Sequence, residues 1–353
     1  MKTMKAFVMK RIGEVGWLEK PVPPDPGPND AIIKPTAGLV CTSDVHTVEG
    51  AIGERENLTL GHEVVGVVYK VGSEVKGVKE GDRVAVGAIT PCFKCENCLR
   101  GFPSQCTDML GGWKYANVKD GTFAEYVHVN DADANLAIIP DSVSDEAAVY
   151  TVDMMSTGFM AAENADIPLG GTVAIFGQGP VGLMATAGAR LLGAGLIIVV
   201  EAVPKRQELA KYFGADIIVD FTKVDPVEEI LRLTDGKGVD SAIDAVGSQI
   251  IFESCVKATR PGGTISNAGY HSKGDYVMIP RLAWGVGMSD KTIKTGLCPG
   301  GRIRLSRLLR LIETGKIDPT PLTTHKFSFG ELEKAFHLMK TKEDGVIKPL
   351  IIY

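Results

Sequence analysis

Nothing in this chain is apolar for long enough to cross a bilayer. Its longest apolar stretches, such as Leu196 to Val200, fall far short of a span. The first ten residues, Met1 to Lys10, hold no run of signal-peptide length, so the sequence reads as cytoplasmic. An excess of positive charge is also missing. With 38 Lys and Arg against 43 Asp and Glu, the net charge of −5 argues against nucleic acid and against an anionic membrane as partners. No internal repeat and no low-complexity segment interrupts the chain. The cysteines do not come in an even number: there are seven. In a reducing compartment that count does not suggest a disulfide framework, and metal ligation is the first alternative.

What remains is an ordinary globular composition over 353 residues, 44% hydrophobic and 23% charged. That length suggests about two domains, each able to bury a core without disulfides. The texture changes twice. Residues 1–155 carry short alternating apolar segments, such as Glu63 to Val71 and Arg83 to Val86, broken by turns at Val71-Gly72-Ser73 and Glu80-Gly81-Asp82. This reads as a β-rich domain. Residues 156–294 alternate strand and helix: strands are expected at Thr172–Phe176, Leu196–Val200, Asp216–Asp220, Gly238–Ile243 and Gly263–Ala268. Helices are expected at Leu183–Leu192 and Lys205–Phe213, the latter ended by Gly214. Such alternation implies an α/β, doubly wound parallel sheet. Residues 295–353 add two amphipathic helices, Leu305–Glu313 and Leu332–Lys340, and a closing strand, Ile347–Ile352.

Gly177-Gln178-Gly179-Pro180-Val181-Gly182 matches G-x-G-x-x-G. Among 41 glycines the pattern alone is weak, but here it follows an expected strand and opens an expected helix. Gly177, Gly179, Pro180, Val181 and Gly182 would then bring backbone N–H groups and a helix N-terminus to a pyrophosphate. The rival reading is an ordinary strand-to-helix turn. Glu201 lies about 20 residues beyond the last glycine, where a carboxylate accepts hydrogen bonds from a ribose diol and repels a 2′-phosphate. NAD(H) is therefore expected over NADP(H). Lys205 and Arg206 follow closely, and either can approach a phosphate or sit solvated at a helix start.

Cys92, Cys95, Cys98 and Cys106 form a C-x2-C-x2-C-x7-C cluster in a loop, about 91–107, that also holds Pro91, Gly101 and Pro103. Four closely spaced thiolates suit a closed tetrahedral zinc site, structural because no coordination position is left for substrate. Unbound buried thiols are the alternative. Cys41 and His62 are each unremarkable alone, as a small core residue and a hydrogen-bonded ring. Together, beside a dinucleotide site, they suggest a second metal. Two ligands are one short of a usual catalytic zinc site, and periodicity does not identify a third.

Taken in order, the Cys41-Thr42-Ser43-Asp44-Val45-His46 segment, Gly61-His62-Glu63-Val64-Val65-Gly66, the four-cysteine loop and the Gly177 fingerprint resemble the zinc-dependent medium-chain alcohol dehydrogenase family over essentially the whole chain. Gly112-Trp113-Lys114, Asp153-Met154-Met155-Ser156-Thr157-Gly158 and Gly296-Leu297-Cys298-Pro299-Gly300-Gly301 look most like its microbial secondary-alcohol subgroup. The resemblance implies a GroES-like catalytic domain, a Rossmann domain, two zinc ions per chain and a homotetramer. It implies Cys41, His62 and Asp153 as catalytic zinc ligands, with Asp where many members carry Cys, and Glu63 as a fourth donor when substrate is absent. Ser43 would take the alcohol proton and pass it through the cofactor ribose to His46. Thr157, Arg206, Val246, Ala268 and Tyr270 would join the cofactor site. Ala88, Trp113, Leu297 and Cys298, again with Tyr270, would line a small apolar substrate pocket. Trp113 in a plain core is a rival, and Cys255 is expected in a core.

The implied activity is hydride transfer between NAD(H) and small secondary alcohols or ketones, with primary alcohols and aldehydes as further candidates. Polyol, butanediol and threonine dehydrogenases of the same family are the alternatives. A nucleotide-binding relative without catalysis is disfavoured because such relatives usually lose the catalytic zinc ligands. Two departures stand out. Several NADP-dependent members of the subgroup lack the structural cysteines, all four of which are here. They also carry a small residue followed by Ser-Arg where this chain has Glu201-Ala202-Val203.

Overall fold

The computed structural model describes residues 2–353 except Lys273. The chain divides into two units: one runs up to Ser156 and resumes from Cys298 to Tyr353, and the other is Thr157–Leu297. The changeovers fall beside the 155/156 and 294/295 expected from texture. The second is displaced because a strand unannounced by the pattern, Thr292–Thr295, completes the sheet of the second unit. Its Thr-Ile-Lys-Thr sequence is too short and too polar to register as a buried strand.

In the first unit, antiparallel pairing dominates. Strand Ala31–Leu39 lies between Glu63–Val71 and the C-terminal strand Lys348–Ile352, with Arg83–Val86 and Leu136–Ile138 continuing the sheet. Leu39 is paired with Glu63 on one side and with Leu350 on the other. This register sets the site, because three chemically loaded positions (Cys41, His62-Glu63 and Lys348) all emerge at the same end of neighbouring strands. A core of Phe7, Val40, Val45, Leu60, Phe123 and Phe336 closes over that end. Burial of side chains of this size stabilises by roughly 1.5–3 kcal/mol each. Gly61 makes the turn before His62 with φ +85°, and a Cβ there would meet the Phe123 ring at 2.4 Å.

In the second unit, six parallel strands lie in the spatial order Ile217–Val219, Leu196–Val200, Thr172–Phe176, Val239–Asp244, Thr259–Asn267, Thr292–Thr295. Numbered along the chain, that is 3-2-1-4-5-6, the doubly wound arrangement whose ligand crevice lies beyond the carboxyl ends of the strands where the order reverses. Continuous apolar runs such as Leu196-Ile197-Ile198-Val199-Val200 suit strands covered on both faces. Helix Pro180–Leu191 starts three residues earlier than expected, with proline at its first position. Helix Pro204–Phe213 ends at Gly214 in the left-handed conformation. Among the described residues no helix is long and apolar enough to cross a membrane.

Candidate metal centres and dinucleotide site

Cys41 caps the helix Thr42–Val48, and Asp44, three residues on, accepts the Cys41 N–H at 2.9 Å. The second oxygen of the same carboxylate accepts the Gly61 N–H at 3.1 Å and lies 3.3 Å from His62 Nδ1. Asp44 thus clamps the Cys41 turn to the His62 turn and fixes the imidazole so that Nε2 faces the other way. Nε2 then lies 3.4 Å from Asp153 Oδ2 and 3.8 Å from Glu63 Oε1. Donor atoms of Cys41, His62, Glu63 and Asp153 all lie within 4.8 Å of one another. A tetrahedral ion with bonds of 2.0–2.3 Å requires donors about 3.3–3.8 Å apart, so the set suits zinc. A carboxylate on the far nitrogen of a ligating histidine is the arrangement that fixes its tautomer and raises its basicity. Asp44 is one acid among 43 in the sequence, and its place beside Cys41 carried no signal in spacing.

Three anionic groups gathered at one point need a cation, and the protonation tendencies say so. Burial lowers His62, yet the carboxylates of Asp44 and Asp153 outweigh it and hold the imidazole well above its ordinary value. Burial and the neighbouring Asp153 raise Glu63 to about 7, although Lys348 and His62 oppose the rise. Glu63 Oε2 is buried without a partner. Such a donor set fits a divalent ion; left to itself it must take up protons instead.

Ser43 Oγ is 3.4 Å from His62 Nε2, inside this cluster. His46 lies on the same helix, its Nδ1 3.6 Å from Glu49, and its side chain is 38% exposed, open to exchange with solvent. Ala88 is buried and donates its N–H to the Val152 carbonyl at 3.4 Å. The buried Cys298 Sγ lies 3.8 Å from that same oxygen, so both border Asp153. Trp113 is 39% exposed, which removes the plain-core reading. Leu297 and Tyr270 are exposed as well, and Cys255 is fully buried.

The four-cysteine loop closes as its spacing suggests. All four sulfurs lie within 4.8 Å of one another, with Cys92 to Cys106 at 3.5 Å and Cys95 to Cys106 at 3.8 Å, and none is in a disulfide. Backbone N–H groups of Lys94 and Cys95 point at Cys92 Sγ, and that of Cys92 at Cys106 Sγ. Similar donors from Thr107 and Cys98 pull the Cys95 thiol down to about 5. Burial pushes Cys98 and Cys106 the other way, and four sulfurs gathered beside amides, in a loop with little regular structure, fit a structural zinc ion. Cys106→Ser is expected to lower zinc content from two ions per chain to one and the melting temperature by about 5–10 °C. Unchanged metal analysis and an unchanged melt would remove the structural role.

In the second unit the fingerprint forms the turn from strand Thr172–Phe176 into helix Pro180–Leu191. A Cβ on Gly182 would sit 1.9 Å from the Gly177 carbonyl oxygen, so no other residue fits there. Gly179 caps the helix without a side-chain hydrogen bond and faces open space. The first amides of the helix are therefore left for an anion. Glu201 follows the strand Leu196–Val200 and is buried. Its Oε2 accepts the Gln178 N–H at 3.0 Å, its Oε1 accepts those of Ala202 and Val203, and Arg206 lies 3.7 Å away. Gln178, inside the fingerprint, is also held by Thr186. Asp244 accepts the N–H groups of Val246 and Gly247, and its carbonyl accepts that of Ala268, so two loops of the expected cofactor site share one anchor. Thr157 is half-buried.

Two family models match, an alcohol dehydrogenase GroES-like domain over residues 27–141 and a zinc-binding dehydrogenase domain over residues 180–313. The chain is 55% identical to an NADP-dependent isopropanol dehydrogenase of Thermoanaerobacter brockii over 99% of both chains. It is 48% identical to an enzyme of the same name from Clostridium beijerinckii, over 99% of this chain and 100% of that one. Among solved structures, zinc-dependent alcohol dehydrogenase 2 from Streptococcus pneumonia superposes with a TM-score of 0.90 at 33% identity, covering 99% of this chain and 98% of that chain. Both isopropanol dehydrogenases are named for NADP, against the NAD(H) preference expected from Glu201.

Proposed function

Since the chain belongs to the zinc-dependent medium-chain alcohol dehydrogenases, we propose that it interconverts small secondary alcohols and ketones by hydride transfer with a nicotinamide cofactor. The observation that carries this reading is the convergence of Cys41, His62, Glu63 and Asp153 on one point, in a chain that also presents an uncapped helix N-terminus behind a glycine fingerprint.

Zinc bound by Cys41, His62 and Asp153 supplies a Lewis acid for the alcohol or carbonyl oxygen. The chain does the rest. Cys41 and Asp153 bring two negative charges and His62 a neutral ring, which Asp44 holds in place. Ser43 Oγ takes the proton from the alcohol, a task for a hydroxyl able to donate and accept. His46, partly exposed, passes that proton to solvent. The amides that open helix Pro180–Leu191 bind the pyrophosphate, and Glu201 takes the adenosine ribose, which supports NAD(H) as the preferred cofactor. Thr157, Arg206, Val246, Ala268 and Tyr270 complete the cofactor site. Ala88, Trp113, Leu297 and Cys298 shape the substrate's surroundings. Assembly as a homotetramer and a cytoplasmic location belong to the same proposal.

Turnover of 2-propanol and 2-butanol is expected to exceed that of ethanol, sorbitol, 2,3-butanediol and threonine by tenfold or more in kcat/KM. A panel of these substrates, run with NAD and with NADP, measures it. Little activity on the two simple secondary alcohols, with ready turnover of a polyol or threonine, would replace the substrate assignment.

A further inference from the structure

Lys348 and Glu63 form an ion pair in which both side chains are fully buried. Lysine is almost never buried to this degree without a partner, and burying two charges has a cost that their attraction often fails to offset. Hydrophobic residues would fill the space more stably, so the pair calls for a purpose. It is built with care. Lys348 opens the C-terminal strand Lys348–Ile352, and Pro349, its neighbour, accepts the Val40 N–H. Its ammonium donates to Glu63 Oε1 and, at 3.2 Å, to the carbonyl oxygen of Val40, the residue before Cys41. Glu63 is thus held by one oxygen while Oε2, buried, has no partner.

The charges around the centre make the case. Cys41, Glu63 and Asp153 contribute three negative charges, and a divalent ion cancels two. Lys348 adds a further positive charge beside Glu63, against a remainder that includes Asp44 on the far side of His62. A carboxylate leaving a metal in a dry site without another cation beside it would be stranded as an unpaired buried charge. With Lys348 on its carboxylate, Glu63 keeps a partner whether or not it is on the ion. We propose that Lys348 is a positioning residue that holds Glu63 as a detachable fourth donor, lowering the cost of vacating that position for substrate and setting how fast the ion is released. The proposal rests on the zinc reading of this centre.

The test is release of zinc from the purified holoenzyme to a chromogenic chelator, with the phase from this centre identified by the parallel loss of turnover. In Lys348→Met, Glu63 loses its alternative partner and stays on the ion. Release is expected to slow about tenfold, with KM for 2-propanol raised more than kcat is changed. Lys348→Arg, which keeps the charge, should restore most of the wild-type rate. In the Glu63→Gln background Lys348→Met should have no further effect on release. A purely structural lysine predicts the reverse, faster zinc loss with a lower melting temperature, and that result or an unchanged rate would overturn the proposal. Should Lys348→Met not fold, Glu63→Gln alone is expected to release zinc about tenfold faster, and an unchanged rate there is equally fatal. A wild-type chain that binds no second zinc ion defeats the zinc reading itself; two ions with unaltered release in the variants defeat only the role of Lys348.

Discussion

Cys41→Ser, His62→Ala and Asp153→Asn are each expected to lower kcat/KM for 2-propanol by about 10³-fold or more, equivalent to about 4 kcal/mol of transition-state stabilisation. Each should also reduce the zinc content from two ions per chain to one. The two effects belong together because these donor atoms lie within 4.8 Å of one another and no other group among them is free to substitute. Glu63 is already the fourth member of the set, so it cannot replace a lost donor. Asp153→Asn is the sharpest of the three, since it preserves shape and removes only charge. Asp153→Cys makes the complementary point: a thiolate restores the charge and the donor, so zinc should return to two even if turnover stays low. The four-cysteine loop lies apart in sequence and is expected to keep its own ion, so the melting temperature should move by only a few degrees. Retention of two ions with near wild-type turnover in His62→Ala would dissolve the centre as drawn. Metal analysis beside steady-state kinetics decides it.

Much of this molecule is written locally. Five of the six parallel strands of the second unit are short runs, mostly apolar, that were legible in their own stretches of sequence, while the polar Thr292–Thr295 was not. The four-cysteine cluster and the glycine fingerprint are local too, for their members share one loop or one turn. Glu201 was placed by counting from Gly182. What spacing did not reveal is whatever the sheet registers bring together. Asp153 lies just ahead of helix Met154–Asn164, more than a hundred residues from Cys41, and only the family resemblance singled it out. Asp44 and Lys348 were missed altogether. Asp44 looks like an ordinary helix-capping acid until its second oxygen is seen on the His62 turn. Lys348 is 285 residues from Glu63, and nothing in the sequence separates it from the exposed lysines around it. Its burial follows from the pairing of Leu350 with Leu39 and of Leu39 with Glu63, a register fixed only when the whole sheet forms.

Glu201→Ala is expected to shift the ratio of kcat/KM for NAD to that for NADP by about 10²–10³-fold toward NADP. Two terms add, the first the larger. The carboxylate, fixed by the N–H groups of Gln178, Ala202 and Val203, has lone pairs left for a ribose diol. Hydrogen bonds to a charged group contribute about 1.5–3 kcal/mol, so losing them weakens NAD by roughly 10–100-fold. The same carboxylate repels a 2′-phosphate, and its removal also releases Arg206, now 3.7 Å from it, to pair with that phosphate. Arg206→Ala placed on Glu201→Ala should therefore abolish most of the gain in NADP use, with a much smaller loss in NAD use. The wild-type measurement matters as much as the variant. The relatives named for NADP are 48–55% identical to this chain, which leaves room for a changed cofactor site on a conserved fold. If the wild-type chain already favours NADP, then Glu201 serves only to pin the loop that follows its strand to the fingerprint. Glu201→Ala would then weaken both cofactors alike through a loosened Gln178 turn, and kinetics with the two cofactors side by side separates that outcome from a change in selectivity.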